Sequence, residues 1–561
     1  MVRRVFNIVY REVRGLHQAA YILALFAVGS QLLAVIRDRL LAHVFGAGST
    51  LDTYYAAFRV PDLLFVLFAS IVSVYVLLPF VSREVASNKN DEGHSQVLSQ
   101  VFTLFLIIFS SIAVVLAVFA PWYVPRLFPG LSDSFDILIS LLRILLLQAF
   151  LLGLSNLCGV VTQASNRFVL FALSPILYNL GIIFGIVALY PLFGLEGLVY
   201  GVVFGALLHL LIQVPFVLRS QYRFSLSTIF DWSLLRQILA IAIPRGLTLS
   251  INQLVLLFFI GIATTMAAGS VSVFQFAFNL QSVPLAVVGM SYSVAAFPAL
   301  SRLLAEKKQI EFNTQLLVAL RHIVFWSVPI IFLVIVLRAQ IVRVLLGSGA
   351  FDWEDTRLTA AVLAIFVVSL AAQAVLLLLI RAFYAAGKTF VPLVVSSGAA
   401  VIGVSFAIVA VNAYEKSATF RYTVSELFRL DAVLGSEVLV LAAGFVLMQV
   451  IQLVLLLIAS KQVFGIKYHS LARLTTQALV AGAGAGLAAY ITLSFVVVGV
   501  KQTTFIGIGL QGFLAGLVGI AIAAILYWLM KAPEVEEIYR SFRVKLLKTD
   551  VVREQPDTPL R

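Results

Sequence analysis

Charged residues are scarce in this sequence. Asp, Glu, Lys and Arg together make up 12% of its 561 residues, whereas 61% are hydrophobic. Soluble globular proteins carry about twice that share of charge, because polar groups must cover their surface. The mean hydropathy of +1.05 agrees with this imbalance. The composition therefore excludes an ordinary soluble domain and predicts a membrane protein.

Cysteine and the usual catalytic motifs are also missing. The single cysteine, Cys158, excludes an internal disulfide and any cysteine-based metal cluster. The sequence contains no histidine-rich metal spacing, no G-x-S-x-G motif and no P-loop G-x-x-x-x-G-K-[ST] motif. We therefore expect no metal, no cofactor and no enzyme activity. Any transport would have to be driven by the membrane potential, an ion gradient or the gradient of the substrate itself.

Long apolar runs are what the chain has in abundance. Each run has about 18 residues or more, enough for a helix to cross a hydrocarbon core of roughly 30 Å. The runs are continuous, unlike the short alternating segments of a β-barrel. We predict an all-α polytopic membrane protein with about fourteen transmembrane helices. Their predicted spans are 19–45, 53–81, 98–121, 136–164, 168–191, 195–218, 237–265, 271–301, 314–337, 355–386, 389–412, 434–460, 473–499 and 503–531.

Positive charge is concentrated in alternate connecting segments. The net charge is +13, yet the turns "GAGST", "PLFGLEG" and "MAAGS" contain no Lys or Arg. Basic residues favour the cytoplasmic side, where they face anionic lipid. The bias predicts that both termini are cytoplasmic. It also makes the lipid bilayer, rather than nucleic acid, the expected partner of the basic surface.

Several fragments recur in the same order at an offset of about 220 residues. "GAGS" (46–49) matches "AAGS" (267–270), and "AAFRV" (56–60) matches "FAFNL" (276–280). The repeat unit contains six spans, so both copies insert with the same orientation. A pair of parallel repeats with the substrate path between them is typical of transporters. We predict two parallel six-helix repeats that form two lobes, followed by two extra C-terminal helices.

These patterns predict the following organisation of the chain. The segments are a cytoplasmic amphipathic N-terminus (1–18), an N-terminal lobe (19–218), a cytoplasmic linker (219–236), the first five helices of a C-terminal lobe (237–412), an extracytoplasmic loop (413–433), the last helix of that lobe (434–460), two helices that form a groove for a lipid tail (473–531) and a cytoplasmic tail (532–561).

Ionisable residues within the predicted spans are candidate site residues. Arg37, Asp38 and Arg39 follow eighteen uncharged residues in the first span. A charged side chain in a membrane helix is costly, so it usually faces protein or a water-filled cavity. Alternatively, the two arginines reach the outer interface and Asp38 pairs with one of them. Successive helix positions differ by about 100°, so Arg37 and Arg39 point in different directions.

The second span adds three more charged residues. Asp52 and Arg59 are seven residues apart and share a helix face, whereas Arg59 and Asp62 are three apart and can pair. Pro61 interrupts this helix and frees backbone groups near Arg59. Two readings stay open for Arg59 and Asp62: a self-neutralised structural pair, or part of a substrate cavity.

Five motifs stand out along the chain: "LLAVIRDRLLAHVFGAGSTLDTYYAAFRVPDLL" (32–64), "ASNRF" (164–168), "GSVSVFQFAFNLQSVPLAVVGMSYSVAAFPALSR" (269–302), "GAFDWEDT" (349–356) and "RAFYAAGKT" (381–389). These motifs resemble the MurJ (MviN) family of lipid II flippases, in the multidrug/oligosaccharidyl-lipid/polysaccharide exporter superfamily. The resemblance covers about residues 20 to 400 and fits the number of predicted helices.

This resemblance implies a V-shaped, two-lobed carrier in the bacterial inner membrane. Such a carrier moves lipid II, an undecaprenyl-diphosphate-linked peptidoglycan precursor, from the inner to the outer leaflet by alternating access. Cell-wall synthesis proteins would be possible partners, and the last two helices would hold the polyprenyl tail. By their match to the family motifs, Arg37, Asp38 and Asp52 occupy functional positions. Arginine binds phosphate through two parallel hydrogen bonds, which suits a diphosphate.

The sequence also departs from the family pattern. Gln31, Phe65 and Asn279 stand where the family usually has arginine, and no Asp or Glu occurs between Asp231 and Glu306, where some members have an acid for sodium. Two alternatives therefore stay open: a Wzx-like flippase for another polyprenyl-linked saccharide, and a non-transporting MurJ-like scaffold. The candidate cavity residues are Arg37, Asp38, Asp52, Arg59 and Asn279, with Arg39, Asp62 and Gln31 in supporting roles.

Overall fold

The fold is helical throughout the described part of the chain. The computed structural model describes residues 16–86, 95–220, 222, 224–430, 433–496 and 504–537. Within those ranges the chain forms helices and short connections, and no β-strand occurs there. Helices satisfy their own backbone N–H and C=O groups, which a lipid environment requires. The predicted all-α class is confirmed. Most of the predicted N-terminal segment and of the C-terminal tail lies outside the described residues.

Twenty α-helices follow one another along the chain. They are α1 (Leu16–Phe45), α2 (Ser49–Ala57), α3 (Arg59–Ile71), α4 (Val74–Ala86), α5 (Gln96–Leu127), α6 (Phe135–Ala164), α7 (Phe168–Phe184), α8 (Tyr190–Leu211), α9 (Val214–Val217), α10 (Trp232–Thr264), α11 (Ser270–Leu285), α12 (Ser291–Ala305), α13 (Gln309–Leu345), α14 (Trp353–Val368), α15 (Leu370–Ala385), α16 (Phe390–Lys416), α17 (Ala418–Phe428), α18 (Val438–Phe464), α19 (His469–Ile491) and α20 (Phe505–Leu529) in the described ranges. A 3₁₀ turn, Pro129–Ser134, precedes α6. Three π-helical turns, Gly185–Leu189, Ala286–Met290 and Thr492–Val496, continue α7, α11 and α19.

The number of candidate membrane spans differs from the predicted fourteen. Among the described residues, eleven helical stretches are long and apolar enough to cross a membrane, or twelve if α14 and α15 form one broken span. The predicted count is therefore not confirmed. The eleven do not include α1. The count also treats the 50-residue stretch Phe168–Val217 as a single span.

That long stretch folds back on itself near its middle. At Gly194 the backbone leaves the helical conformation, with φ of 60° and ψ of −145°. Beyond this point α8 packs against α7 so closely that a Cβ on Gly181 would meet the backbone of Gly205, and one on Gly201 would meet Gly185. A straight helix of 50 residues would be about 75 Å long, more than twice the hydrocarbon thickness. The stretch therefore supplies two antiparallel helices.

The predicted second span is divided into three helices. α2 ends at Ala57 and α3 begins at Arg59, two residues before Pro61. Because proline has no N–H, the helix loses the bond that residue 61 would make to the carbonyl of Ala57. A further break at Val72 separates α3 from α4. Arg59 therefore lies in the first turn of a new helix segment, as the sequence predicted from Pro61.

Helix positions and turns support the internal repeat. Ser49 begins α2 and Ser270 begins α11, about 220 residues further on. The turn after α6 contains Asn166 with φ of 56°, and the corresponding turn after α15 contains Gly387 with φ of 69°. Asn and Gly are the residues that adopt this left-handed conformation most readily. The two halves thus use the same helix order and the same tight turn.

The described chain divides into two compact units. The first contains residues 1–283, 341–369 and 387–456, and the second contains residues 284–340, 370–386 and 457–561, each in its described parts. This division does not follow the predicted lobes, which stay a prediction. In the first unit, the segment predicted as the loop 413–433 contains α17. The Ser417 side chain accepts a hydrogen bond from the N–H of Phe420 and so caps that helix.

Candidate functional site

An ion pair on α1 forms the centre of the candidate site. The Nε and Nη2 atoms of Arg37 both donate to Oδ1 of Asp38, at 2.9 and 2.8 Å. Nη1 of Arg37 donates to Oδ1 of Asn179 on α7, at 3.3 Å. These contacts explain how adjacent charges are tolerated in an apolar helix. The guanidinium is paired with a carboxylate and oriented by a neighbouring amide, as a buried charge requires.

Amide side chains of α11 extend this pair into a hydrogen-bonded chain. Nδ2 of Asn279 donates to Oδ2 of Asp38 at 2.9 Å, and Nε2 of Gln275 donates to Oδ1 of Asn279 at 2.7 Å. At the far end, Nη2 of Arg59 donates to Oε1 of Gln275 at 2.9 Å. Gln275 and Asn279 lie four residues apart and so share one face of α11. The resulting polar chain joins Arg37 to Arg59 within the first unit.

Two cavities of about 180 Å³ each adjoin the polar chain. Both are lined by Arg37 and Asn279. The first is also lined by Gln31, Ala34, Val35, Asp38, Leu280, Ser282 and Leu346. The second is also lined by Leu41, Tyr54, Tyr55, Phe58, Arg59, Asp62, Tyr178, Ile182 and Gln275. Arg37 therefore lies where the two cavities meet, and the hydroxyl of Tyr55 is buried there without a hydrogen-bond partner.

Arg59 and Asp62 line the second cavity without pairing directly. Nε of Arg59 donates to the backbone carbonyl of Tyr55 at 3.2 Å, and its Nη2 bonds to Gln275. The contacts of the described residues include no ion pair between Arg59 and Asp62. The self-neutralised pair that the spacing allowed is therefore absent here, because α11 supplies a better-placed acceptor. The site as a whole brings together two guanidinium groups and two carboxylates.

Asp52 lies outside both cavities and serves the N-terminus of α11. Its Oδ2 accepts the N–H of Gly269 at 2.7 Å, and its Oδ1 accepts the N–H and the hydroxyl of Ser272 at 2.8 and 2.6 Å. Both oxygens are thus used by backbone and side-chain donors of the second repeat. A carboxylate at a helix N-terminus satisfies orphan N–H groups and complements the helix dipole. The expected place of Asp52 in the cavity is not what the structure shows.

The supporting residues also separate into two groups. Gln31 lines the first cavity together with Asp38, and Asp62 lines the second. Arg39 points elsewhere, because its Nη1 donates to the backbone carbonyl of Val344. That carbonyl belongs to the last turn of α13, where a positive charge is favourable. Arg39 therefore stabilises a helix end and is not part of the polar chain.

Sequence reasoning missed Asn179, Gln275 and three tyrosines of the site. Asn179 is the one amide in the apolar helix "FVLFALSPILYNLGIIF" (168–184), and Gln275 stands four residues before Asn279. A lone polar residue in a membrane helix is itself a signal, because it needs a partner inside the protein. Tyr54, Tyr55 and Tyr178 had no such signal, since tyrosine is equally common at membrane interfaces.

These features define a class of protein. An all-helical chain with many candidate spans, an internal repeat and a buried polar cavity is typical of a membrane transporter rather than an enzyme. The comparisons with known proteins agree. A family model described as lipid II flippase MurJ matches residues 41–506. The chain belongs to the MurJ family of membrane transporters, as the resemblance in its motifs indicated.

Relatives and solved structures give the extent of the likeness. The chain is 28% identical over 380 residues to a probable lipid II flippase MurJ of Buchnera aphidicola, covering 66% of this chain and 73% of that protein. It is 25% identical over 390 residues to the lipid II flippase MurJ of Burkholderia cenocepacia, covering 67% and 75%. Its fold matches an inward closed structure of MurJ, with a TM-score of 0.70 at 21% identity over 91% of this chain and 99% of that one.

A second solved structure links the fold to the wider superfamily. It is an inward-facing multidrug resistance transporter of the MATE family, within the MOP superfamily, with a TM-score of 0.64 at 16% identity. The match covers 78% of this chain and 94% of that transporter. At such identities the likeness shows a shared fold. The transporter class rests on the family match, and the predicted transporter class is confirmed by it.

Proposed function

We propose that this protein moves lipid II, the undecaprenyl-diphosphate-linked peptidoglycan precursor, from the inner to the outer leaflet by alternating access. The observation that carries the proposal is the position of Arg37, which lines both polar cavities. A guanidinium in a site with little water binds phosphate strongly and through two parallel bonds. In this proposal Arg37 is the principal contact for the diphosphate, and Arg59 is the second.

The ion pair with Asp38 gives Arg37 a partner when no substrate is bound. Two N–H groups of Arg37 are satisfied by one oxygen of Asp38, and the other oxygen is held by Asn279. Arg37 has further N–H groups, so a diphosphate would bind those while Asp38 stays paired and Asn279 keeps it oriented. Sharing the guanidinium in this way avoids the large cost of an unpaired buried charge.

Neutral polar groups supply the contacts that a sugar headgroup needs. Gln31, Asn279 and Ser282 line the first cavity, and the buried hydroxyl of Tyr55 has no partner within the described part of the protein. Sugar hydroxyls both donate and accept, as do amide and hydroxyl side chains. The replacement of the family's usual arginines by Gln31 and Asn279 leaves fewer cations but more groups of this kind.

The membrane potential is our proposed driving force. The sequence has no P-loop, and the substrate headgroup is an anion that moves away from a negative cytoplasm. Each elementary charge that crosses the membrane gains about 2.3 kcal/mol per 100 mV in this direction. An ion gradient stays the alternative source. Dissipating the potential with an ionophore should therefore slow transport, whereas removing the sodium gradient alone should not.

The direct test is lipid II externalisation in bacteria depleted of their own flippase. We expect the wild-type chain to restore externalisation, Arg37→Ala to abolish it and Arg37→Lys to restore part of it. Arg143→Ala is the matched control, because Arg143 is an exposed arginine of α6 that donates to the carbonyl of Ala117 at 3.0 Å. Equal rescue by wild type and Arg37→Ala, at equal membrane levels, would contradict the role of Arg37.

A flippase for another polyprenyl-linked saccharide is the second candidate. The observation that favours it is the pair of neutral amides, Gln31 and Asn279, in the first cavity. A headgroup with less negative charge would suit such a cavity better. Gln31→Arg combined with Asn279→Arg should then improve rescue with lipid II and weaken transport of the native saccharide. No rescue by wild type, with transport of a different polyprenyl-linked glycan, would favour this candidate.

The proposed orientation places both termini in the cytoplasm of a bacterium, in its inner membrane. The support is the concentration of Lys and Arg in alternate connecting segments. Reporter fusions at the two termini would test it. Activity of a cytoplasm-dependent reporter at both ends is expected, and an extracytoplasmic signal at either end would overturn the orientation.

A further inference from the structure

A larger cavity lies in the second unit, and it shares no lining residue with the candidate site. It measures about 640 Å³ and is lined by residues of α13, of the start of α19 and of the segment after α20. Four of the lining residues are basic: Arg321, His469, Arg473 and Lys531. We call this feature the basic cavity. None of these basic residues belongs to the proposed diphosphate site.

The walls of the basic cavity are held by specific contacts. Nε2 of Gln477 donates to the carbonyl of Met530 at 3.0 Å, which joins α19 to the end of α20. The hydroxyl of Tyr527 donates to the carbonyl of Phe325 at 2.8 Å, and the two rings stack with centroids 4.1 Å apart. These contacts join α20 to α13. The cavity is therefore a built feature of three packed helices.

The charge of the basic cavity is unbalanced. Arg321 is neutralised, because its Nη2 lies 2.6 Å from Oε1 of the buried Glu534. His469, Arg473 and Lys531 are exposed, and no carboxylate belongs to the cavity lining. The lining therefore offers two permanent positive charges and a histidine to whatever enters. An anion is the ligand that this arrangement favours.

The position of two of these side chains is unfavourable for α19 itself. His469 is the first residue of α19 and Arg473 follows one turn later, and the first turn contains no acidic residue. The N-terminus of a helix carries partial positive charge, so cations there are destabilising. Tyr468, at the N-cap, makes no side-chain hydrogen bond to the helix. The position of these basic side chains is explained if an anion occupies the cavity.

The surroundings of the cavity indicate a membrane lipid. Trp528 and Leu529, beside Lys531, are 68% and 60% exposed. Exposed tryptophan and lysine at the end of a membrane helix mark the level of the lipid headgroups. On α19, Leu479 and Val480 are also exposed and apolar. An acyl chain can pack along these apolar faces, whereas a free phosphate ion makes no apolar contacts.

We propose that the basic cavity binds the phosphate of an anionic glycerophospholipid. Arg473, Lys531 and His469 contact the phosphate together with the N-terminus of α19, and the acyl chains lie along α19 and α20. Phosphatidylglycerol is the simplest lipid with this chemistry. The bound lipid would hold α13, α19 and α20 together at this end, where the exposed charges of Arg473 and Lys531 otherwise have no counter-charge in the cavity lining.

Lipid binding to the purified full chain tests this proposal. The probes are phosphatidylglycerol and phosphatidylcholine with the same acyl chains, and native mass spectrometry measures how much of each is bound. We expect wild type to prefer phosphatidylglycerol. Arg473→Gln combined with Lys531→Gln should lower its affinity for phosphatidylglycerol about tenfold or more, because two charged hydrogen bonds are lost. The matched control is Lys388→Gln with Lys461→Gln, which removes the same charge from two other exposed lysines.

Each other outcome would overturn the proposal. An equal loss of phosphatidylglycerol affinity in the control would mean that the protein attracts anionic lipid diffusely. Unchanged affinity in the cavity variant would mean that the basic cavity is not a lipid site. Displacement of phosphatidylglycerol by millimolar inorganic phosphate would identify a free-phosphate site, and tighter binding of lipid II than phosphatidylglycerol at this cavity would identify a substrate site. Arg37→Ala should bind phosphatidylglycerol like wild type, so failure here is separable from failure of the transport proposal.

Discussion

The polar chain around Arg37 and the basic cavity around Arg473 treat positive charge in opposite ways. In the polar chain, Arg37 pairs with Asp38, and amide side chains connect that pair to Arg59. In the basic cavity, Arg473, Lys531 and His469 are exposed and no carboxylate lines the cavity, whereas Arg321 is neutralised by Glu534. The groups that satisfy Arg37 and Arg59 belong to the protein itself, whereas the exposed basic residues of the cavity have no carboxylate in its lining.

Burial explains this difference. A buried charge without a partner costs several kcal/mol, so the fold itself must supply the partner. An exposed charge is hydrated and costs little, so its partner can be a ligand that comes and goes. In our proposals the polar chain combines stability with function, whereas the exposed basic residues of the cavity serve ligand binding alone.

Asp38→Ala should cause the largest loss of stability. The substitution leaves the guanidinium of Arg37 without its carboxylate in a nearly buried position, which costs about 3–5 kcal/mol. Thermal unfolding in detergent would show the loss. The compensated variant, Arg37→Met with Asp38→Leu, should recover most of the stability while transport stays absent. Unchanged unfolding in Asp38→Ala, compared with the exposed Asp133→Ala control, would show that the polar chain is not needed for stability.

Asp52→Ala should give the next largest loss of stability, about 2 kcal/mol in the free energy of unfolding, because α11 loses its N-terminal cap. Three hydrogen bonds disappear, to Gly269 and Ser272. The expected signature is lower stability with unchanged substrate affinity per folded molecule, measured by lipid II binding to the purified variant. A weaker affinity at unchanged stability would return Asp52 to the cavity, where the resemblance of its motif had placed it.

The comparison of Asp38 with Asp52 also shows how much the sequence predicts. The helical class, the break near Pro61 and the place of Arg37, Asp38 and Asn279 at the site followed from hydropathy, proline chemistry, the cost of buried charge and the family motifs. The hydrogen-bond partners of the site residues did not follow from these features. Asp52 bonds to residues more than two hundred positions away, and local spacing contains no information about such contacts.

Arg39 and the span count show the same limit. The charge of Arg39 was visible in the sequence, but its acceptor is a carbonyl of α13, which only the packing of the first unit brings near. The hairpin at Gly194 was predicted from a polar break, yet a count based on helix length treats it as one stretch. Hydropathy measures apolar length along the chain, and it does not register where the backbone reverses.

A much smaller effect is expected from Arg473→Gln with Lys531→Gln. Both side chains are exposed, so their loss should change the free energy of unfolding by less than about 0.5 kcal/mol in detergent without added lipid. Added phosphatidylglycerol should then stabilise wild type and leave the double variant unchanged, because a ligand that binds only the folded state raises its stability. A large loss of stability without lipid would make the two regions alike and remove the distinction drawn here.

The smallest change in stability is expected when an exposed ion pair outside the candidate membrane spans is broken. Nζ of Lys308 lies 2.7 Å from Oε2 of Glu306. The hydrogen bond and charge of Lys308 lower the pKa of Glu306 below its ordinary value. Any stability from this pair is therefore present above the ordinary carboxyl pKa and disappears as the pH falls through the lowered one. Both groups are fully solvated, so water and salt screen the attraction. Glu306→Gln should unfold like wild type from neutral to acidic pH, and a difference that grows with pH would show that geometry, rather than burial, decides which charges stabilise this protein.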